Sequence, residues 1–181
     1  VSDVSFDGRF KKFFDVWSSF RQPGQVLPTW ANVKPMAFGG LLPDVVLVKR
    51  HGAKDFRFRL MGSEVNERLG SDPVGEQAFR LLDARHHEAI YTWFDAIVAQ
   101  PCGAMHEMSV EFEKASPKRA KALNLPIRGN EGEVDTFMYL YSFWQPEPGE
   151  NPGRVLSAGR TYFKLQAIDI GAGVPDNLPT F

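Results

Sequence analysis

Arg59 stands in KDFRFRLMG, where Phe56, Phe58 and Leu60 alternate with Arg57, Arg59 and Met61. Side chains of a strand alternate faces, so the pattern predicts a strand with one apolar and one basic side. An arginine there has an ordinary role, an ion pair or a hydrogen bond to a helix carboxyl end. It also has a sharper one, because its guanidinium fork grips a carboxylate or phosphate through two parallel bonds. The pattern leaves both open for Arg59, whereas Arg57 reads as solvated. His106, in AMHEMSVEF, shares a strand face with Met108, Val110 and Phe112 and is expected to project inward. It is there either as a satisfied core histidine or as a neutral imidazole that meets a ligand or an axial metal position.

The remaining reactive types are less well placed. His86 and His87 lie beside Asp83 and Glu88, where an Asp-His pair would serve as a base. Adjacent histidines on a helix face different ways, so the two read as turn and first-turn residues, and His51 as a turn residue. Cys102 lies between Pro101 and Gly103 without a basic neighbour in sequence to lower its pKa, which argues against a nucleophile. Ser63 lacks a flanking G-x-S-x-G pattern and reads as a helix cap. The glycines of GSDPVG are not followed by Lys-Ser/Thr, so they form no phosphate loop. No His-x-x-x-His, convincing helical Glu-x-x-His or cysteine pair is present, and no metal is expected.

These residues need elements to position them. GRFKKFFDVWSSFR (8–21) places Phe10, Phe13, Phe14, Trp17 and Phe20 at spacings of three and four, the pattern of an amphipathic helix, with Asp7 as its N-cap. Pro23, Gly24 and Pro28 end it. Asn32 is placed to cap a short helix that Gly39-Gly40 stops. VVLVK and FRFRLMG predict a hairpin, and Ser63 to Leu69 a short helix with Gly70 at its left-handed C-cap. Ala89, Ile90, Trp93, Phe94, Ile97 and Val98 mark a longer helix. AMHEMSVEFEK, KALNLPIR and VDTFMYLYSFW then read as strands, with NEG as the turn between the last two. In the final strand Phe137, Tyr139, Tyr141 and Phe143 oppose Met138, Leu140 and Trp144, so both faces of the sheet need cover. Helices are expected on one face and the aromatic N-terminal helix, or a partner's copy of it, on the other. RVLSAGRTYFKLQ offers one more strand, and GAGVPDNLPTF a disordered or loosely docked tail.

The chain has 181 residues, with 21 basic against 22 acidic side chains, which fits one domain with extensions and gives no basic stripe for nucleic acid. A single cysteine rules out an internal disulfide. No apolar run approaches the roughly 18 residues of a membrane span, and no secretory pattern opens the sequence. The expectation is a soluble, cytoplasmic protein with neither nucleic-acid nor membrane partners.

The ordered pieces FDVW-x-SFRQPGQVLPTWANVKPMAFGGLLPD, DFRFRLMGSEVNERLGSDPVG and LNLPIRGNEGEVDTFMY resemble the bacterial PAS-like family PAS_5, formerly a domain of unknown function, DUF1457. The resemblance covers roughly residues 10 to 145. One departure stands out, since the turn after Leu-Pro usually holds an arginine and an aspartate in that family where this chain has Trp30 and Asn32. The resemblance implies an α+β fold, a PAS-like five-stranded antiparallel sheet with helices over a small cavity, used for sensing or protein contacts, and it supplies no ligand. It also implies that the flanking helix can be shared across a homodimer through Phe10, Phe13, Phe14, Trp17 and Phe20. A haem would need His106 or Met108 as axial ligand, and neither is on the long helix. Flavin photochemistry of the light-sensing PAS kind would need a cysteine among the short helices, whereas Cys102 follows the long one. No cofactor is expected.

Three segments follow: an aromatic helix and turn (1–28), a PAS-like domain (29–145), and a loop, strand and tail (146–181). The leading expectation is a non-catalytic sensory domain with its cavity between the sheet and the helices around residues 64–100, lined by Arg59, Trp30, His106, Tyr139 and Tyr141. It would take an unidentified small ligand and signal to a downstream protein through the first helix or the tail. Two alternatives are a small α+β enzyme pairing Asp83 with His86 or His106 and a structural dimerisation module.

Overall fold

Among the described residues six stretches of two-residue periodicity become strands: β1 (Val45–Gly52), β2 (Asp55–Met61), β3 (Gly103–Phe112), β4 (Lys118–Arg128), β5 (Val134–Ser142) and β6 (Val155–Ile168). They form one curled antiparallel sheet in the order β2-β1-β5-β4-β3-β6. The count exceeds the expected five because β6 pairs along β3, from Gly103↔Ile168 to Phe112↔Val155. Among the described residues three α-helices accompany the sheet, α1 (Gly8–Ser19), α2 (Ser63–Leu69) and α3 (His87–Ala99), with tight 3-10 turns at Trp30–Asn32, Pro35–Asp44, Ala78–Leu81 and Ala84–His86. The computed structural model describes residues 6, 8–144, 149, 153 and 155–180. The expected cap Asp7 and most of the 145–153 loop lie outside the described residues.

Apolar residues on both faces of β5 require two covers, and the chain supplies both. On the outer face Leu47, Met138 and Leu125 stand in register, as do Val45, Leu140 and Leu123, all buried. The Pro35–Asp44 segment packs on β5, and α1 packs on both that segment and β4. Phe13 meets Phe38 at 5.3 Å between ring centroids, and Trp17 Nε1 donates to the Pro126 carbonyl at 3.1 Å. Phe10, Phe13, Trp17 and Phe20 are buried in this way, and half-buried Phe14 sits between Phe6 and Trp17. Of the two destinations expected for the aromatic stripe, the chain's own core is the one found. Each such ring gains about 1.5 to 3 kcal/mol by burial, so burying them in the chain's own core contributes substantially to the fold.

The inner face is covered by α2, α3 and the segment between them. Phe94 on α3 meets Phe137 at 4.6 Å and Phe56 at 4.9 Å, which fills one half of the interior with rings. Residues 75–83 act as a strap across the sheet's two ends. Gly75 N–H donates to Phe58 O at 2.8 Å and Phe58 N–H to Glu76 O at 3.1 Å, while Asp83 N–H donates to Arg160 O at 2.8 Å. Both sheet edges, β2 and β6, therefore find backbone partners on one short segment, which satisfies groups an open edge would leave exposed.

Several local expectations are corrected. The alternation in FRFRLMG breaks at Arg59: Phe58 pairs with Val48 but Leu60 with Leu47, leaving Arg59 as an extra residue. This bulge turns Leu60 outward with Arg57 and Arg59 and brings Met61 inward beside Phe58 and Val65. Ser63 is the first helical residue, and Gly62 holds the N-cap position. Asn32 ends a 3-10 turn rather than capping a helix, and Gly39, with φ 51°, is a kink within Pro35–Asp44. Gly70 adopts the expected left-handed conformation, φ 65°. The tail is docked: Ile170 is buried, Arg21 Nη1 donates to its carbonyl at 3.1 Å, and Gln100 Nε2 donates to Ala172 O at 3.0 Å.

Candidate functional site

The five residues expected to line one cavity divide between the two faces of the sheet. Arg59 and Trp30 are outside. Arg59 is exposed, its guanidinium carbon 5.7 Å from the centre of the Trp30 ring, and both border an open polar cleft of about 370 Å³. Lys49 and Asp135 form an ion pair there at 3.2 Å. An arginine shelved on a ring at the surface is a cation–π contact in solvent. The expectation that Arg59 is held under cover is corrected by the bulge that keeps it on the outer side.

His106, Tyr139 and Tyr141 do meet inside. The His106 ring is fully buried, 5.6 Å from Tyr139 and 5.3 Å from Tyr162. Register explains the gathering: His106 pairs with Ala122, Ala122 with Tyr141, Tyr139 with Asn124, and Met108 with Tyr162, so one inner face of β3 to β6 carries all of them. The residue that organises the group is Arg160 of β6. Its side chain is buried; Nη1 donates to the Tyr141 hydroxyl at 3.3 Å and Nη2 to the Ala78 carbonyl of the strap at 3.0 Å. Arg160 Nε, both ring nitrogens of His106 and both amide atoms of Asn124 find no hydrogen-bond partner among the described residues.

The electrostatics follow from burial. His106 is held down at about 3, first by burial and then by the charge of Arg160, so its imidazole is neutral at ordinary pH. Burial pushes the phenols of Tyr139 and Tyr162 well up, and the Arg160 charge only partly opposes it. Two small hollows flank Arg160, each with about 10 Å³ of free volume. One is walled by Val46, Met61, Val65, Leu69 and Met108, the other by Val48, Phe79, Tyr139 and Tyr162. Each is about the size of one water.

Sequence reasoning passed over Arg160, Tyr162 and Asn124. The signal available was the i, i+2 pair Arg160 and Tyr162 in RTYFKLQ, an arginine on the same strand face as a tyrosine, but nothing local says that this face turns inward.

The other candidates have structural work. Asp83 caps the Ala84–His86 turn and binds Arg85 through both carboxylate oxygens, which holds it down at about 2. The Asp83 carboxylate is thus taken up by Arg85. His87 Nε2 lies 3.0 Å from Phe79 O and 3.1 Å from Leu82 O, pinning the strap to α3. Cys102 is buried, and burial, with Asp169 adding to it, pushes its thiol up to about 12. Among the described residues no three His, Cys, Asp or Glu side chains converge as metal ligands, and no helix is long and apolar enough to cross a membrane.

No curated protein matches the chain. Among solved structures it is similar to a light-oxygen-voltage domain studied with a flavin analogue, at 11% identity and a TM-score of 0.47, covering 64% of this chain and 86% of that one. It is also similar to the Aureochrome1 LOV blue-light photoreceptor in its light state, at 10% identity and a TM-score of 0.40, covering 57% and 83%. A fungal LOV domain photoreceptor matches at 14% identity and a TM-score of 0.42, over 79% of this chain and 95% of that one. The family model for the PAS domain PAS_5 matches residues 8–142, from α1 through the end of β5, and this chain belongs to that family.

Proposed function

We propose that the chain is a non-catalytic sensory domain whose interior, on the Arg160 side of the sheet, binds a small ligand and passes the result to a downstream protein through β6, the tail and α1. The observation that carries this reading is the buried cluster of Arg160, His106, Asn124 and three tyrosines, with polar atoms that the described residues do not satisfy. Leaving a buried polar group unmet costs about 1 to 3 kcal/mol, so a fold that keeps several together in its hollow has a use for them. That His106 finds no hydrogen-bond partner among the described residues, and the commitment of Asp83 to Arg85, support binding over acid/base catalysis.

The route outward is covalent and short. Arg160 contacts the strap and β5; eight residues later β6 ends at Ile168 and the docked tail begins. The tail is held by Arg21, just past α1, through the Ile170 carbonyl. A ligand that draws Arg160 away from Ala78 would bias the packing of both. A homodimer, where one forms, would use surfaces other than the aromatic stripe, which is occupied.

Mass spectrometry of the purified, denatured protein, followed by a thermal-shift screen of small metabolites, tests the reading. A co-purified molecule or a saturable shift that Arg160→Met removes is the expected result. An empty protein that no metabolite stabilises would leave a module of protein contacts alone.

A further inference from the structure

Arg160 is the only formally charged side chain buried among the described residues, at 7% exposure, and no carboxylate among them pairs with it. Its neighbours do not neutralise it. His106 is uncharged at ordinary pH, and the Tyr141 hydroxyl and Ala78 carbonyl, which accept from Nη1 at 3.3 Å and from Nη2 at 3.0 Å, are dipoles. Nε keeps an N–H without an acceptor among the described residues. Taking a full charge out of water costs several kcal/mol unless an opposite charge and hydrogen bonds offset it. A water beside the guanidinium would meet the spare N–H but leave the charge uncompensated, so the surroundings call for an anion.

Size restricts which one. Arg160 and Tyr141 border both hollows, and each hollow has about 10 Å³ of free volume, the room of one water. A carboxylate, a phosphate or an ion with its hydration shell is too large for either; a single bare atom is not. The hollow facing the strap is the better furnished of the two, since it places Tyr139 and Tyr141 against Arg160, with Val48, Phe58 and Phe79 as the apolar wall. The Tyr141 oxygen accepts from Nη1, which turns its own O–H away from the guanidinium and leaves that proton to donate. An apolar wall cannot replace a tightly held hydration shell, so it selects a weakly hydrated ion. We infer that the hollow between Arg160, Tyr141 and Phe79 is a site for one chloride ion, held by the Arg160 guanidinium and the Tyr141 hydroxyl. The ion acts as a structural counter-charge. It sits with Arg160 still bonded to Ala78, and so stabilises the closure of the strap on β6. The inference is independent of the sensory reading above, which needs a ligand that draws Arg160 off the strap.

Thermal unfolding of the full chain, followed as sodium chloride replaces sodium gluconate from about 1 to 150 mM at constant ionic strength, tests it. Gluconate carries the same charge and is too large to enter. Chloride should raise the unfolding temperature saturably, by about 3 °C or more. Arg160→Met should remove the dependence, and Tyr141→Phe, which keeps the charge and loses the donor, should raise the half-saturating concentration about threefold to tenfold. Arg59→Ala, on the exposed outer face, should leave it unchanged. Crystals grown from sodium chloride and measured at long wavelength should show one anomalous peak beside the Arg160 guanidinium. Should Arg160→Met fail to fold, Tyr141→Phe and the anomalous map decide. Equal midpoints in chloride and gluconate, density beside Arg160 without anomalous signal, as a water would give, or an undiminished response in Tyr141→Phe would overturn the inference. None of these results bears on the metabolite screen, whose failure would in turn leave the chloride site standing.

Discussion

Arg160 on β6 reaches Tyr141 on β5, guanidinium Nη1 to phenol oxygen at 3.3 Å, although β3 and β4 lie between their strands. Three strand spacings of about 4.8 Å exceed the length of an arginine side chain on a flat sheet. The contact exists because the sheet curls around its inner face, and the strap at residues 75–83, bonded to β2 at one end and to β6 at the other, holds the curl. The site is thus a product of sheet curvature, and its members come from four strands and a turn.

His106 makes the cluster sensitive to acid. In the unfolded chain its imidazole takes a proton near pH 6.5, but in the fold only at about 3, chiefly because it is buried and also because Arg160 is charged. Between these values the unfolded state binds more protons, so this stabilisation is complete above the unfolded pKa and drains away as pH falls through the window. His106→Leu should lose the dependence. Denaturant unfolding at about pH 7 and about pH 5 should show the native protein losing about 2 kcal/mol more than the variant over that step, at about 1.4 kcal/mol per unit. Parallel losses in the two proteins would mean that His106 is protonated in the fold.

Arg59 separates the outer cleft from the interior. Its contact with Trp30 is exposed and of the kind worth about 0.5 to 1 kcal/mol. Arg59→Ala should therefore cost no more than about 1 kcal/mol in urea unfolding, and leave any ligand response of the interior unchanged. A lost response would place the working site on the outer face.

How much of this was legible depended on whether the information was local. The three-and-four spacing of Phe10, Phe13 and Trp17 predicts a buried helix face, and the two apolar faces of VDTFMYLYSF predict a sheet covered on both sides. His106, Tyr139 and Tyr141 were readable as inward residues because each lies in a regular alternation. The bulge at Arg59 was not, since FRFRLM alternates without interruption in sequence, and the extra residue appears only when β2 is paired with β1. Arg160 was missed for a related reason: its importance depends on β6 pairing with β3, where Arg160 stands opposite Val110, and nothing in SAGRTYFK declares that long-range pairing.

Trp17 ties α1 to the outer face by ring burial and one hydrogen bond to Pro126 O. Trp17→Ala should cost about 3 to 5 kcal/mol, the range for deleting a buried aromatic side chain. Trp17→Phe, which keeps most of the ring and gives up the indole donor, should cost less than the alanine change, with about 1 kcal/mol or more for the carbonyl left unmet. Urea midpoints at constant slope give both values. Sedimentation of the folded variants should show no change of mass, because the stripe serves its own chain; a change of association state on Trp17→Phe would contradict that.

Gly62 offers the sharpest steric test. Its φ of −66° suits any residue, so the constraint is not conformational. A Cβ there would lie 2.2 Å from the carbonyl oxygen of Pro43 and 2.6 Å from that of Leu42, both backbone atoms that cannot swing aside. The crowding arises because Gly62 N–H donates to Val45 O at 2.8 Å, clamping the start of α2 against the end of the Pro35–Asp44 segment. Gly62→Ala must push these apart, losing that bond and shifting α2, whose Val65 and Leu69 wall one of the hollows beside Arg160. The expected cost is about 3 kcal/mol, with faster amide exchange at the substituted position and along α2. Gly75→Ala is the contrasting case: a Cβ there meets nothing within 4 Å, but φ is +87°, so only backbone strain of about 1 to 3 kcal/mol applies, confined to the strap. If Gly62→Ala unfolds at the same denaturant concentration as the native chain, α2 is not seated on Pro43, and the wall it contributes to the hollow is not where this structure puts it.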